Sequence, residues 1–171
     1  MSDRKPRPHR RAELEEGQES VWDYPRPPLL EPIADRIRVL FGSHTIADTT
    51  QALRILETSH PPTVYIPPSD IDARFLKSSS AQTFCEWKGV ARYYDVVLED
   101  GTRVQEAAWY YPKPHSKYQQ LANHVSFYPS RASQCYWGEE LVRAQAGDFY
   151  GGWITSKIVG PFKGDAGTGH W

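Results

Sequence analysis

A run of four polar residues set against a rigid Pro-Pro step offers the first chemistry in this chain: Glu57-Thr58-Ser59-His60-Pro61-Pro62. The residue before a proline is pushed into extended backbone, so His60 is carried on a loop and not on a helix. Histidine titrates near neutrality, and a carboxylate three residues away can act with it as an acid–base pair. The same residues can instead form a turn in which Thr58 and Ser59 satisfy backbone groups and His60 is structural.

A second cluster lies in Thr83-Phe84-Cys85-Glu86-Trp87-Lys88-Gly89. Strand alternation puts Thr83, Cys85 and Trp87 on one face and Phe84, Glu86 and Lys88 on the other. Glu86 and Lys88 are either a solvent-facing charge pair, worth little, or an acid–base group beside an anion holder. Trp87 adjoins them, and Tyr93, Tyr94, Trp109, Tyr110 and Tyr111 follow on the next two segments. An aromatic wall with a few charges is how small-molecule pockets are usually lined. Cys85 has no basic partner on its own strand face and reads as an inert core thiol before it reads as a nucleophile. In Tyr150-Gly151-Gly152-Trp153, paired glycines between large rings suit either close backbone approach to a ligand or a hairpin corner filled by core aromatics. The candidate site is therefore Glu57, His60, Glu86 and Lys88 as catalytic groups, with Ser59, Trp87, Tyr94, Trp109, Tyr111 and Trp153 contacting the ligand. The pattern suggests no metal ligands and names no cofactor.

These residues need a β scaffold to hold them. IRVLFG followed by HTIADT predicts a hairpin turning at Gly42-Ser43. TTQALRILE fits either a helical turn or a further strand, and PPSDIDARFL fits a helical turn capped by Ser69. TFCEWKG, ARYYDVVLEDG and TRVQEAAWYYP predict three strands, the last two joined at Asp100-Gly101. A short helix over SKYQQLAN, a strand at HVSFYP, a hairpin turning near Gly138 and the segment FYGGWITSKIVGPF complete the chain. Short strands at this spacing predict a mostly β fold, a single compact antiparallel domain of sandwich, barrel or tent type with one to three short helices. The domain spans 36–164. In front of it lie a polar tail over 1–20, expected to be disordered, and an extended Pro-rich arm over 21–35 pinned by Trp22 and Tyr24. Residues 165–171 form a C-terminal tail.

Composition narrows the partners. The formal net charge of −1, from 20 basic and 21 acidic side chains, supplies no long-range field for nucleic acid or an anionic membrane. Two cysteines cannot build a four-cysteine zinc site. No apolar signal core or spanning segment is present, so a cytoplasmic location is expected. An unidentified small molecule is the expected partner, and a homo-oligomer is left open. An enzyme using the same pocket, or a protein-interaction module presenting the Pro-rich arm, are the alternatives.

The wording of several motifs carries a resemblance. IADT, LETSHPP, YIPP, FCEWKG, AWYYP, VSFYP and FYGGWITS with GPFKG closely resemble the domain-of-unknown-function family numbered 427, over about residues 36–164. The resemblance implies a β-rich fold of the β-tent kind, here without the zinc that many β-tents carry. It also brings a label, since many members are called nucleotidyltransferases. Polymerase-β-type nucleotidyltransferases combine a Gly-Ser pair with Asp-x-Asp carboxylates that hold magnesium. The matching residues here would be Gly42-Ser43 with Asp70 and Asp72, and the label requires both carboxylates to converge on one cation beside that turn.

Overall fold

Alternation of apolar and polar residues drives strand formation: Ile37, Val39 and Phe41 are buried while Arg38 and Leu40 between them are half-buried. The computed structural model describes residues 13–147 and 149–165. In chain order the strands are β1 (Glu19–Ser20), β2 (Leu29–Pro32), β3 (Ile37–Phe41), β4 (His44–Thr49), β5 (Leu53–Leu56), β6 (Thr63–Tyr65), β7 (Leu76–Cys85) and β8 (Gly89–Val97). They continue with β9 (Arg103–Tyr110), β10 (Val125–Phe127), β11 (Gln134–Trp137), β12 (Glu140–Leu141), β13 (Arg143–Ala144), β14 (Trp153–Ile154) and β15 (Ile158–Val159). Helical structure among the described residues is confined to short 3-10 segments at Val21–Asp23, Pro68–Asp70, Ala73–Phe75 and Ser116–Leu121. No described helix is long and apolar enough to cross a membrane.

The fold is mostly β and antiparallel, and among the described residues its sheets do not close into a barrel. One sheet runs β10-β9-β8-β7 and another β2-β5-β6. Mutual backbone hydrogen bonds between Ile66 and Val125, of 2.8 and 2.9 Å, join them edge to edge into one curved seven-strand layer. A third sheet, β12-β11-β3-β4, covers one face of that layer. Between them lies the larger core, with Ile37, Val39, Phe41, Val64, Ile66, Val96, Ala108, Phe127 and Trp153. The opposite face carries a second, aromatic cluster built from Tyr65, Tyr93, Trp109, Tyr111, Tyr118 and Tyr128.

Two bulges curve the layer around β8. Between the pairs Ser78↔Tyr94 and Gln82↔Arg92, three residues of β7 oppose Tyr93 alone. Between Val96↔Val104 and Tyr94↔Ala108, three residues of β9 oppose Asp95 alone. Extra residues of this kind bend a strand and raise its twist. The second bulge is pinned by the Asp95 carboxylate, which accepts from the Glu106 amide at 2.8 Å and from the Arg103 guanidinium at 2.7 and 2.9 Å. Glu106 there adopts φ 48°.

The ambiguous segment TTQALRILE resolves as β5, and the Pro-rich arm is drawn into the fold. Leu29–Pro32 pairs with Leu53–Leu56, and Glu19–Ser20, at the end of the 1–20 tail expected to be disordered, forms a strand paired in parallel with Ile158–Val159. Arg54 binds both Glu19 and Glu31, tying the arm to β5. Residues 1–12 and 166–171 of the expected tails lie outside the described residues. Cys85 and Cys135 are both free and belong to different clusters, so no disulfide joins them.

Candidate functional site

The aromatic face encloses a cavity of about 250 Å³. Its walls follow from strand parity. On β8, Ala91 and Tyr93 point into it while Tyr94 and Val96 turn to the larger core. On β6, Thr63 and Tyr65 face it, while Val64 and, just beyond the strand, Ile66 do not. Trp109 stands opposite Tyr93 across the ladder and shares their face, with Tyr111 beyond it. Tyr128 and Tyr150 close one side, and Phe84 and Phe149 stand at the mouth, 71% and 65% exposed.

The phenols share one cluster. The Trp109 indole donates to the Tyr65 hydroxyl at 3.3 Å, and the Tyr111 ring lies 6.3 Å from the Tyr65 ring, centre to centre. Thr83 and Tyr93 share a hydrogen bond of 3.0 Å, and Tyr128 belongs to the same aromatic cluster as Tyr93. Burial, reinforced by these neighbouring phenols, pushes Tyr111 and Tyr128 far above the ordinary tyrosine range. These two phenols are neutral at any physiological pH.

The cavity's cation is Lys88. The strand ends at Cys85, and Glu86-Trp87-Lys88 form a turn before Gly89, which pairs with Cys85. Gly89 adopts φ +109°, a conformation that side-chain-bearing residues rarely take, and this completes the reversal. His115 fixes the turn: its amide donates to the Lys88 carbonyl at 3.0 Å, and its Nδ1 lies 3.0 Å from the Trp87 carbonyl. Lys88 is thereby turned inward, 8% exposed, with its Nζ 5.8 Å from the centre of the Tyr111 ring. Its ammonium makes no hydrogen bond or ion pair with any described residue. Burial works against its charge, but Tyr65, Cys85 and Glu57 nearby outweigh that and hold its pKa above the ordinary lysine value. Lys88 is therefore a permanent cation and not a nucleophilic amine.

His60 approaches from the loop before β6. Its backbone amide donates to the Glu57 carbonyl at 3.0 Å, and its Nδ1 lies 3.0 Å from the Thr58 carbonyl. A carbonyl can only accept, so Nδ1 carries the proton and Nε2 is left with its lone pair. Burial lowers the His60 pKa, with Arg26 and Lys88 adding to the effect and Glu57, 3.9 Å from Nδ1, opposing it. The ring is thus neutral at pH 7. The arm steadies this loop: the Thr58 hydroxyl donates to the Tyr24 carbonyl at 2.5 Å, and the Ser59 amide to the Val21 carbonyl at 3.1 Å. Thr63 adds a buried hydroxyl with no hydrogen-bond partner.

Of the residues expected to share one site, Glu57, His60, Lys88, Trp109 and Tyr111 all line this cavity. The other five do not. Glu86 is exposed on the turn, because alternation stops with the strand at Cys85 and cannot be carried through to Lys88. Trp87 flanks the aromatic cluster from outside, and Tyr94 stacks on Tyr110 at 4.5 Å on the opposite face of the layer. Ser59 is buried beneath the loop at φ 72°, and Trp153 is fully buried in the larger core, donating to the Phe127 carbonyl at 3.1 Å. Tyr93, named in the aromatic wall but not among the contacting residues, lines the cavity, as do Tyr65, Cys85 and Thr63, which were not expected there. Parity counted from Trp109 across the ladder selects Tyr93 over Tyr94 and was the available signal.

Asp70 and Asp72 do not converge. Asp70 accepts from the Thr49 hydroxyl at 2.6 Å, while Asp72 is paired with Arg74 at 2.9 Å. Among the described residues, no group of three His, Cys, Asp or Glu side chains is arranged to hold a metal ion.

Residues 29–138 match the model of a family described as a domain of unknown function, DUF427. No curated protein matches the chain in sequence.

Proposed function

Since the chain belongs to the DUF427 family, whose description assigns no activity, we propose from the site that it is a small-molecule-binding β domain for a compact monoanion with an apolar, ring-sized body. One observation carries this reading: a lysine residue 8% exposed in an aromatic cavity, with no anion among the described residues bound to its ammonium. A buried charge is costly unless paired, and a ligand carboxylate would supply the missing partner. The cavity holds roughly eight water volumes, just below the usual drug-sized range of about 300–1,000 Å³. Glu57 adds negative charge to the same lining, which favours one ligand charge over two. The unpartnered Thr63 hydroxyl could bond the second oxygen of a carboxylate.

Thermal unfolding with phenylacetate, against its neutral amide phenylacetamide, tests this. At about 100 times Kd, a ligand selective for the native state adds about 2.7 kcal/mol, or roughly 5–10 °C in Tm for a chain of this size. The acid should give that shift, the amide little, and Lys88→Met none. Equal shifts for acid and amide, or a full shift in Lys88→Met, would overturn the reading.

A second reading, an enzyme using the pocket for acid–base chemistry, is favoured by the neutral His60 ring and its unpartnered Nε2. The Thr58 carbonyl would orient the ring, Glu57 would stabilise its protonated form, and Lys88 would hold the substrate anion. His60→Gln should then abolish turnover of a bound substrate while leaving the Lys88-dependent thermal shift in place.

A further inference from the structure

The thiol of Cys85 opens onto the same cavity. Cys85 is free and partly exposed, at the end of β7, and the turn that follows brings Lys88 back to line the same cavity. Lys88 is more than nine-tenths buried and unpartnered there, and His60 presents a neutral ring to the same space. A thiol, a fixed cation and a base on one apolar cavity are the elements that cysteine nucleophiles use. Cys135 is the contrast: it is 2% exposed in the larger core, and burial pushes its pKa up to about 12.

We propose that Cys85 is a nucleophile that adds to small carboxylates bearing an electrophilic carbon, with Lys88 holding the carboxylate against the sulfur. For an α,β-unsaturated acid the step balances without oxidant or cofactor. The sulfur gives up its proton to Nε2 of His60, and a sulfur electron pair forms the C–S bond at the β-carbon. The π pair of the double bond moves to the α-carbon, which takes the proton back from His60. This rests on the anion-binding reading and adds a covalent step to it.

Alkylation of the full-length reduced protein separates the two. Iodoacetate is the anionic probe and iodoacetamide the neutral one, with glutathione as the unsteered reference and peptide mapping to locate the label. With either probe the S–C bond forms as iodide leaves and the proton goes to buffer. Cys85 should be labelled and Cys135 spared. A cation at the site should raise the iodoacetate-to-iodoacetamide rate ratio by roughly tenfold or more over glutathione. Lys88→Gln should bring the ratio back to that of glutathione, and phenylacetate should protect Cys85 in the unaltered chain, which needs no variant to fold. An unlabelled Cys85, or a ratio matching glutathione, overturns the nucleophile even if phenylacetate still gives its Lys88-dependent thermal shift. Labelling with the anionic preference but no such shift upholds the nucleophile and removes the arylcarboxylate reading instead.

Discussion

Replacing Gly151 by alanine would push one ring into the cavity, and the structure gives the size of the push. A Cβ built at Gly151 would lie 2.2 Å from Cη2 and 2.5 Å from Cζ3 of Trp109, and 3.3 Å from Cδ1 of Tyr128. Carbon atoms rest about 3.5–4.0 Å apart, so the indole must retreat by roughly 1.3 Å or more. Trp109 is 7% exposed, and its indole donates at 3.3 Å to the Tyr65 hydroxyl, a bond that such a movement would break. Overpacking of this kind costs about 1–3 kcal/mol. The open cavity beside the ring gives it somewhere to go, which favours the lower half of that range. A loss of about 1–2 kcal/mol corresponds to a Tm lower by roughly 2–8 °C in a chain of this size. The displaced ring would also occupy ligand space, so the phenylacetate shift should shrink even in a folded variant. Gly152→Ala provides a comparison: its Cβ would meet Gln145 Oε1 at 2.5 Å and Pro61 Cγ at 2.9 Å, without touching Trp109. The measurements are thermal unfolding with and without phenylacetate for both variants. A Gly151→Ala protein with unchanged Tm and an undiminished ligand shift would refute the packing argument.

Thr63→Val should raise Tm by roughly 2–4 °C without ligand, because a buried hydroxyl lacking a partner costs about 1 kcal/mol or more and valine keeps its shape; it should also weaken phenylacetate binding. Ser126→Ala, which removes another unpartnered buried hydroxyl, should stabilise similarly without affecting the ligand. His60 binds its proton less readily folded than unfolded, so its contribution to stability should be intact above about pH 6.5 and decline as pH falls below it. His60→Asn should flatten that part of the Tm–pH curve, and parallel curves would contradict it. Asp95→Asn should cost about 1–3 kcal/mol in denaturant unfolding by loosening the Glu106 bulge. Since bonding to Glu106 and Arg103 holds the Asp95 carboxyl below the usual range, the penalty should fade at pH values below about 4. His115→Ala should free the turn that aims Lys88 and weaken phenylacetate binding while Tm changes little, as the ring is exposed.

Strand content and most turns are written locally, in alternation and in pairs such as Asp100-Gly101, and a reader of the chain can find them. The site was legible in part because Glu57, His60 and Lys88 flank strands whose parity already tells which rings are neighbours. Parity failed where it was extended beyond a strand's end. Counting through Cys85 put Lys88 with Glu86 on the far face, whereas the Gly89 reversal and the His115 clasp turn it inward. Both determinants are long-range or conformational, and neither alters the local pattern. Cys85 was discounted for the same reason: its cationic neighbour arrives through the turn and not along its strand. The extended arm reads as pinned to the domain by Trp22 and Tyr24. Its strand pairing was not legible, because the edge that β5 offers to Leu29–Pro32 and the clasp by Arg54 are both long-range.

The joint between Ile66 and Val125 bears on the order in which the molecule assembles. It is two hydrogen bonds between residues far apart in the chain, and contacts of long sequence separation are slow to form. Tyr65 adjoins one side of the joint and Trp109 faces the other strand's ladder, so the cavity has opposing walls only once this pair has closed. Each sheet supplies only one wall of the cavity, so neither alone can hold the proposed ligand. Ligand capture should therefore be a late event in refolding, trailing the rise of strand signal, and a burst of binding during collapse would show that the walls meet by another route.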